Sequence, residues 1–272
     1  MERSVKIIVA THKKYEMPKD EMYLPLHVGA AGKYDASGVP LDLGYIKDNT
    51  GENISEKNFC FGSQTGLYWA WKNLKADYLG LVHYRRYFIG KKMSNNNPLD
   101  NILTRQQLDL MLGKYKVFVP KKRKYYIETI YSHYDHTLDG RQLDITGEVI
   151  KALCPEYTDA FRIVMGRRHA YIFNMLIMKY ELFNEYCNWL FPILFDVEKK
   201  IDKTGLSDFE KRFCGRISEI LFNIWLEKKI MVKELSESEI KELPYYENVN
   251  WPKKVKSFLM AKFFNKKYNA SF

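Results

Sequence analysis

ADYLGLVHYRRYF, residues 76–88, is the stretch that decides the fold. Its continuous apolar run Tyr78–Val82 is typical of a strand buried on both faces of a sheet. The run ends abruptly in His83 and two arginines, and ligands of open α/β sheets bind at the carboxyl ends of central strands. Because guanidinium groups hold phosphate oxygens in a bidentate manner, we expect His83, Arg85 and Arg86 to bind an anion such as a diphosphate. The alternative is that either arginine pairs with an acidic loop residue.

The segments on both sides of this stretch alternate between strand and helix patterns. Val5–Ala10 is a β-branched run that predicts a first strand, and Gln64–Asn73 has apolar residues at helical spacing just before the central strand. The same alternation continues with helices over Leu103–Tyr115 and Ile145–Leu153, strands over Lys116–Pro120 and Tyr171–Met178, and long amphipathic helices over Glu181–Ile201 and Phe209–Lys228. The sequence therefore predicts an α/β fold with a helical C-terminal part.

The composition excludes several classes of protein. With 272 residues, of which 46% are hydrophobic and 28% charged, the chain has an ordinary globular composition. We find no apolar stretch of the roughly 18 residues that a membrane-spanning helix needs. The four cysteines are far apart and form no CxxC pair, which indicates buried thiols rather than a zinc site or a disulfide framework: Cys60, Cys154, Cys187 and Cys214.

The positive charge is concentrated near the C-terminus. The formal net charge is +10, and Lys253–Phe272 contains six lysines and no acid, so more than half of the excess lies there. An apolar stripe of Trp251, Val255, Phe258 and Leu259 among these lysines is typical of a helix that lies on an anionic leaflet. We therefore predict a membrane-associating C-terminal extension over residues 231–272; packing of the stripe on the rest of the protein is the alternative.

The start of the chain gives an expectation about location. Met1–Lys6 leads directly into the first strand without the apolar region and cleavage site of a secretory signal. We expect a cytoplasmic protein that is peripheral on the inner face of the cell membrane.

Several motifs resemble a bacterial family encoded in capsule, exopolysaccharide and O-antigen gene clusters and long catalogued only as a domain of unknown function. They are VATHK at Val9–Lys13, NISEKN at Asn53–Asn58, TGLYWAWKN at Thr65–Asn73, YLGLVHYRRYF at Tyr78–Phe88, NMLIMK at Asn174–Lys179 and LFPIL at Leu190–Leu194. The resemblance covers roughly Val5–Leu226. Relatives often have Glu-Leu-Thr where this chain has Ser63-Gln64-Thr65, a departure that affects the polar contacts at the start of that helix.

The resemblance implies an inverting glycosyltransferase of surface polysaccharide synthesis. Characterised relatives are notably galactofuranosyltransferases that use UDP-galactofuranose. The resemblance also implies a GT-A-like, Rossmann-type α/β/α domain over residues 1–230. Its expected partners are a UDP-sugar donor and a glycan acceptor linked to undecaprenyl diphosphate. In GT-A enzymes the central strand usually ends in Asp-x-Asp, which holds a divalent metal on the donor diphosphate. His83-Tyr84-Arg85 stands in that place here, so we expect side-chain cations to replace the metal and no cofactor to be needed.

The resemblance also suggests which residues bind the donor. They are Thr11, His12, Asp48, Asn53, Lys57, His83, Tyr84, Arg85, Arg86 and Arg216.

An inverting transfer needs a base that accepts the proton of the acceptor hydroxyl. Arg212, Arg216 and Glu219 are spaced to share one helix face, and GT-A enzymes often have the base on a helix at this place in the chain, so Glu219 is the predicted base. An ordinary ion pair between Arg216 and Glu219 is the alternative. Asp135 and Asp139 are the reserve candidates.

A second polar cluster, His133–Asp139, is predicted in a loop after the Lys116–Pro120 strand. Its spacing does not match a metal site, so sugar or acceptor binding is favoured. The neighbouring run Lys121–Lys124 is either a solvated surface or a contact for acceptor phosphates. The predicted acceptor or sugar residues are His133, Asp135, His136, Asp139, Asn174 and Arg212.

Two other classes of function remain at this point. A nucleic-acid-binding protein would fit the sequence pI of about 9.2 and the 20 tyrosines, but no RNP-like, zinc-finger or helix-turn-helix motif is found and no nucleic-acid partner is expected. A non-catalytic sugar-binding or assembly subunit would share the aromatic residues.

Overall fold

The computed structural model describes residues 3–90 and 97–247, which form two compact units. Unit 1 contains the described parts of Met1–Lys121 together with Phe173–Asn188 and Ser236–Glu247. Unit 2 contains Lys122–Ile172 and Trp189–Leu235. The helix predicted over Trp251–Phe272 lies outside the described residues.

Unit 1 is built on a sheet of nine strands. The strands are β1 Val5–Thr11, β2 Tyr23–His27, β3 Ile46–Lys47, β4 Tyr78–His83, β5 Arg86–Phe88, β6 Val117–Pro120, β9 Leu176–Lys179, β10 Ile240–Leu243 and β11 Tyr245–Glu247. Their order is β10-β6-β9-β4-β1-β2-β3, with β5 paired to β4 and β11 paired to β5. β4, β1, β2 and β3 are parallel to one another, and β10 is parallel to β6. β9 is antiparallel to both β4 and β6, β5 is antiparallel to β4, and β11 is antiparallel to β5. The predicted α/β fold with a mostly parallel central sheet is confirmed.

The strand register brings three polar positions to one edge of the sheet. Ala10 pairs with His83 across β1 and β4, and Thr11 pairs with His27 across β1 and β2. The Tyr84 N–H then donates to the Ala10 carbonyl at 3.2 Å. Since the carboxyl ends of these parallel strands meet here, the polar residues that follow β1 and β4 are neighbours.

The two faces of the sheet are covered differently. On one face lie α1 Asn58–Phe61 and α2 Gln64–Asn73, and α2 packs so closely that a Cβ on Gly66 would lie 2.8 Å from Val28 Cγ1. The opposite face carries a buried cluster that includes Val9, Tyr78 and Phe118, with Leu108 of α3 Arg105–Asp109. α3 begins at a capping box of Thr104 and Gln107 and is shorter than the helix predicted over Leu103–Tyr115.

Unit 2 is mainly helical. It contains α4 Ile130–Thr137, α5 Arg141–Leu153, α6 Thr158–Met165, α8 Phe213–Met231 and the short strand pair β7 Arg123–Lys124 and β8 His169–Ala170. The remaining helix, α7 Tyr180–Lys200, begins in unit 1 and ends in unit 2. The prediction of a loop over His133–Asp139 is wrong for most of that segment, because the Thr129 hydroxyl caps the Ser132 N–H at 3.0 Å and starts α4.

Two further differences from the predictions concern the sheet. β9 begins at Leu176 rather than Tyr171, since Asn223 holds both backbone groups of Tyr171, and Phe173 and Asn174 have positive φ angles of 74° and 56°. β10 and β11 fall within the predicted extension over residues 231–272 but pair with β6 and β5. The domain boundary after residue 230 stays a prediction.

The four cysteines are buried free thiols. In the part of the chain that the structure describes, none of the helices has both the length and the hydropathy required to cross a membrane.

Candidate functional site

The candidate site of unit 1 is a group of aromatic rings and cations at the carboxyl ends of β1 and β4. The Tyr84 ring lies 5.3 Å from the His12 ring and 4.7 Å from the Tyr15 ring, measured between centroids. Lys13 Nζ lies 5.6 Å and Arg85 Cζ 5.1 Å from the centre of the same Tyr84 ring. The two cations thus lie close to one aromatic ring, where cation–π attraction favours them.

Lys13 and Tyr15 were not among the residues predicted for the site. The signal was present in the sequence, because the basic residues His12–Lys14 directly follow the first strand. The sequence does not show that Lys13 and Tyr15 both lie next to the Tyr84 ring, because Tyr84 follows β4 and they follow β1.

Thr11 shapes the turn that follows β1. Its buried hydroxyl donates to the Lys13 carbonyl at 2.6 Å and accepts from the Lys13 N–H at 3.3 Å. Because both its donor and an acceptor position are used within the turn, Thr11 orients His12 and Lys13 rather than offering a free hydroxyl to a ligand.

His83 differs from the expectation that it adds positive charge. Burial, together with the charges of Arg86 and Arg85, lowers the pKa of its imidazole to about 4, although the hydrogen bond to Phe173 acts in the opposite direction. Its Nε2 lies 2.5 Å from the Phe173 carbonyl, which can only accept, so Nε2 carries the proton. At neutral pH His83 is therefore a neutral hydrogen-bond donor that holds the turn before β9.

Arg86 pairs with an acidic residue, which is the alternative to anion binding given for the two arginines. Its Nη2 and Nε both lie 3.2 Å from Glu247 Oε1, and the Glu247 side chain is almost fully buried. Its guanidinium also lies 4.4 Å from the centre of the Phe173 ring. Glu247 therefore neutralises Arg86, and the two described cations next to the Tyr84 ring that could meet an anion are Lys13 and Arg85.

Asp48 organises the loops beside the same edge. Its buried carboxylate accepts from the Gly29 and Ala30 N–H groups at 2.8 and 3.0 Å, and from the Ser55 and Thr65 hydroxyls at 2.5 and 2.6 Å. Four donors fill the acceptor positions of a carboxylate. Asp48 therefore fixes the loops after β2 and before α2, and its contact with the donor stays a prediction.

The other predicted residues of unit 1 lie around this framework. Asn53 accepts from the Ser55 N–H at 3.1 Å, and Lys57 ends the short 3-10 turn that precedes α1. Asn174 follows Phe173 in the turn that His83 contacts.

Unit 2 contains a second buried carboxylate that the sequence reasoning missed. Glu128 is 2% exposed and accepts from His133 Nδ1 at 2.9 Å and from His136 Nδ1 at 2.7 Å. Burial lowers the pKa of His133, although the hydrogen bond to Glu128 acts in the opposite direction. The available signal was a single acid within the basic and aromatic stretch before α4.

The two aspartates predicted near these histidines have local partners. Asp135 accepts from the Gly140 N–H at 3.1 Å, and Asp139 forms a salt bridge of 2.8 Å with Arg141.

The predicted base also lies in unit 2. Glu219 is part of α8, half-buried, and its carbonyl accepts from Asn223 Nδ2 at 2.7 Å. Arg216 is one turn earlier, with its guanidinium 4.0 Å from the Phe209 ring and a hydrogen bond to the Phe209 carbonyl. Arg212 is exposed in the 3-10 turn that precedes the helix.

The described residues include no group of three or more His, Cys, Asp or Glu side chains arranged to hold a metal ion.

Comparison with solved structures places this fold among the glycosyltransferases. The chain is similar to a structure titled WbbM bifunctional glycosyltransferase in the apo state, with a TM-score of 0.80 and 29% sequence identity. The match covers 91% of this chain and 46% of that one, so this chain spans about half of its length. No curated protein matches the chain in sequence.

The sequence also matches a family model over residues 6–230, which is most of the chain. The fold is a glycosyltransferase-like α/β fold, and the chain belongs to the family described as Domain of unknown function (DUF4422).

Proposed function

We propose that the protein is an inverting glycosyltransferase of bacterial surface polysaccharide synthesis. It transfers a hexose, with galactofuranose from UDP-galactofuranose favoured, to a glycan linked to undecaprenyl diphosphate. The observation that carries the proposal is the group of Lys13, Tyr84 and Arg85 at the carboxyl ends of β1 and β4, in a fold similar to WbbM. The donor sugar and the acceptor rest on the family resemblance.

The proposed reaction displaces UDP at the anomeric carbon. The acceptor oxygen forms a bond to that carbon while the bond from carbon to the donor phosphate oxygen breaks, and the electron pair leaves with UDP. Negative charge therefore grows on the diphosphate, and cations fixed in advance stabilise it most in the transition state. Lys13 and Arg85 are assigned this part, which makes a divalent metal unnecessary in the proposal.

The neutral His83 and the Asp48 framework are assigned positioning parts. His83 ties β4 to the turn at Phe173, and Asp48 holds the loop that contains Asn53 and Ser55. Neither group adds charge to the diphosphate, so both are expected to affect the geometry of binding more than the charge balance.

The proton of the acceptor hydroxyl needs an acceptor of its own. Glu219 is the proposed base, with Asp135 and Asp139 in reserve, because a carboxylate is ionised at neutral pH and accepts a proton as the oxygen attacks. We also propose that Lys253–Phe272 brings the enzyme to an acceptor on an anionic membrane.

The test is UDP release from a panel of UDP-sugars with a synthetic lipid-linked acceptor, with and without EDTA. We expect release with one donor and no effect of EDTA. Arg85→Ala should lower kcat by about 100-fold or more, as loss of one preorganised charge-stabilising group does. Arg162→Ala is the matched control, because Arg162 is an exposed arginine of unit 2 paired with Asp159. It should leave the rate unchanged.

Three outcomes would contradict the proposal. Loss of activity in EDTA that Mn²⁺ restores would refute metal independence. Full activity of Glu219→Gln would remove Glu219 as the base. Absence of release with every donor, together with salt-sensitive binding of single-stranded RNA, would favour the nucleic-acid-binding alternative.

A further inference from the structure

An exposed apolar tip lies between β7 and α4 in unit 2. Tyr126 and Ile127 are adjacent and are 76% and 60% exposed. The next residue, Glu128, is buried again. The folding of unit 2 does not explain why two large neighbouring side chains are exposed to water.

The backbone holds this tip in place on both sides. The Tyr125 N–H donates to the Arg168 carbonyl at 2.8 Å, and the Ile130 N–H donates to the Arg167 carbonyl at 2.7 Å. Tyr126 itself has a φ of 57°, in the left-handed region that a non-glycine residue rarely adopts. Such a conformation persists where the surrounding structure fixes it, and it directs the two side chains outward here.

The surroundings of the tip are basic. Lys122, Lys124 and Arg168 are exposed, and Arg168 Nη1 lies 3.4 Å from the Tyr126 carbonyl. The one acid between residues 121 and 134 is Glu128, whose carboxylate is buried against two histidines. The surface next to the tip is therefore cationic, with an apolar point at its centre.

We propose that this tip, formed by Tyr126 and Ile127 with Lys122, Lys124 and Arg168, docks on an anionic lipid surface. A tyrosine places its ring at the level of the headgroups and its hydroxyl in water, while an isoleucine enters the acyl boundary. The three cations meet lipid phosphates. The aliphatic Ile127 favours lipid over single-stranded nucleic acid, because it offers no ring on which a base could stack.

The tip includes no residue of Lys253–Phe272, and its binding to lipid needs neither donor nor acceptor. The lipid-docking proposal can therefore be correct if the transferase proposal is wrong. The transferase proposal can likewise be correct if the lipid-docking proposal is wrong.

The test is flotation of the full chain with vesicles of phosphatidylcholine alone or with about one-third phosphatidylglycerol, an anionic lipid. We expect the double variant Tyr126→Ser/Ile127→Ser and the double variant Lys124→Glu/Arg168→Glu each to bind the anionic vesicles about tenfold more weakly or worse. Lys253–Phe272 is present in every variant, so the variants are compared at lipid concentrations at which the unaltered protein is only partly bound.

The matched control is Tyr34→Ser/Val39→Ser, which removes a tyrosine and an aliphatic residue of unit 1 that are 62% and 56% exposed. It should bind like the unaltered protein, and all variants should unfold at the same urea concentration because the altered side chains are exposed. Equal vesicle binding by the unaltered protein and both tip variants would overturn the proposal. Loss of single-stranded RNA binding in the tip variants, without a change on vesicles, would assign the surface to nucleic acid instead.

Discussion

Each unit contains a buried carboxylate that gathers the chain around it, and the two are satisfied by different kinds of partner. Asp48 of unit 1 accepts from two backbone N–H groups and two hydroxyls, none of which titrates near neutral pH. Glu128 of unit 2 accepts from the imidazoles of His133 and His136, and burial lowers the pKa of His133. The comparison teaches that the loops beside the candidate donor site are held by donors that do not titrate near neutral pH, whereas the start of α4 is held in part by His133, an imidazole whose pKa burial lowers.

The largest effect is expected from Asp48→Asn. An amide offers one acceptor oxygen to four donors and places its own N–H atoms against some of them, so we expect a loss of about 3 to 4 kcal/mol in the free energy of unfolding. The loss should be the same at pH 8 and pH 5, because the partners do not titrate. Urea unfolding measures both values.

The control for this variant is Asp35→Asn, which alters an exposed carboxylate that accepts from the Ser37 and Val39 N–H groups. It should cost much less, since water replaces the lost hydrogen bonds. An equal loss in the two variants would show that the Asp48 framework does not hold unit 1 together.

A smaller and pH-dependent effect is expected from Glu128→Gln. We expect a loss of about 2 kcal/mol at pH 8, because one imidazole N–H loses a charged acceptor. The folded-state pKa of His133 lies below its unfolded value, so protonation opposes folding and stability falls as the pH drops below about 6.5. Glu128 raises that pKa, so its removal lowers it further and the loss grows from pH 8 to pH 5.

The matched control is Glu198→Gln, since Glu198 is a buried carboxylate of the same unit that pairs with Lys203 at 3.1 Å. Lysine stays charged over this range, so the cost of the control should not change between pH 8 and pH 5. A Glu128→Gln loss that is flat with pH would remove the contrast between the two carboxylates.

The smallest effect is a gain, and it concerns the helix that begins beside Thr65 of the Asp48 framework. Gln64 is 1% exposed, and among the described residues neither its Oε1 nor its Nε2 has a hydrogen-bond partner. Gln64→Leu should therefore raise the free energy of unfolding by about 1 kcal/mol.

Gln142→Leu is the control for Gln64→Leu, because Gln142 is also buried but accepts from the Tyr134 hydroxyl at 2.7 Å. It should destabilise the protein. A Gln64→Leu variant that is as stable as the unaltered chain but loses UDP release would instead assign the Gln64 amide to substrate binding.

The sequence by itself determined the layout of the α/β fold, because its signals are local. The β-branched run of β1, the apolar run of β4 and the helical spacing of α2 predicted those elements at nearly their observed bounds. The resemblance to a family catalogued as a domain of unknown function depended on the same contiguous motifs, and the match to the model of that family over residues 6–230 confirms it.

Only the tertiary structure decided how the site residues are used. Arg85 and Arg86 are adjacent and chemically identical, yet Arg86 pairs with Glu247, about 160 residues later in the chain, and Arg85 lies over Tyr84. The sequence suggests that His83 is a cation, but it is neutral in the fold because burial of the imidazole lowers its pKa. The charge state of a side chain depends on its burial, and its ion pairs depend on partners distant in sequence. The spacing of residues along the chain predicts neither burial nor those partners.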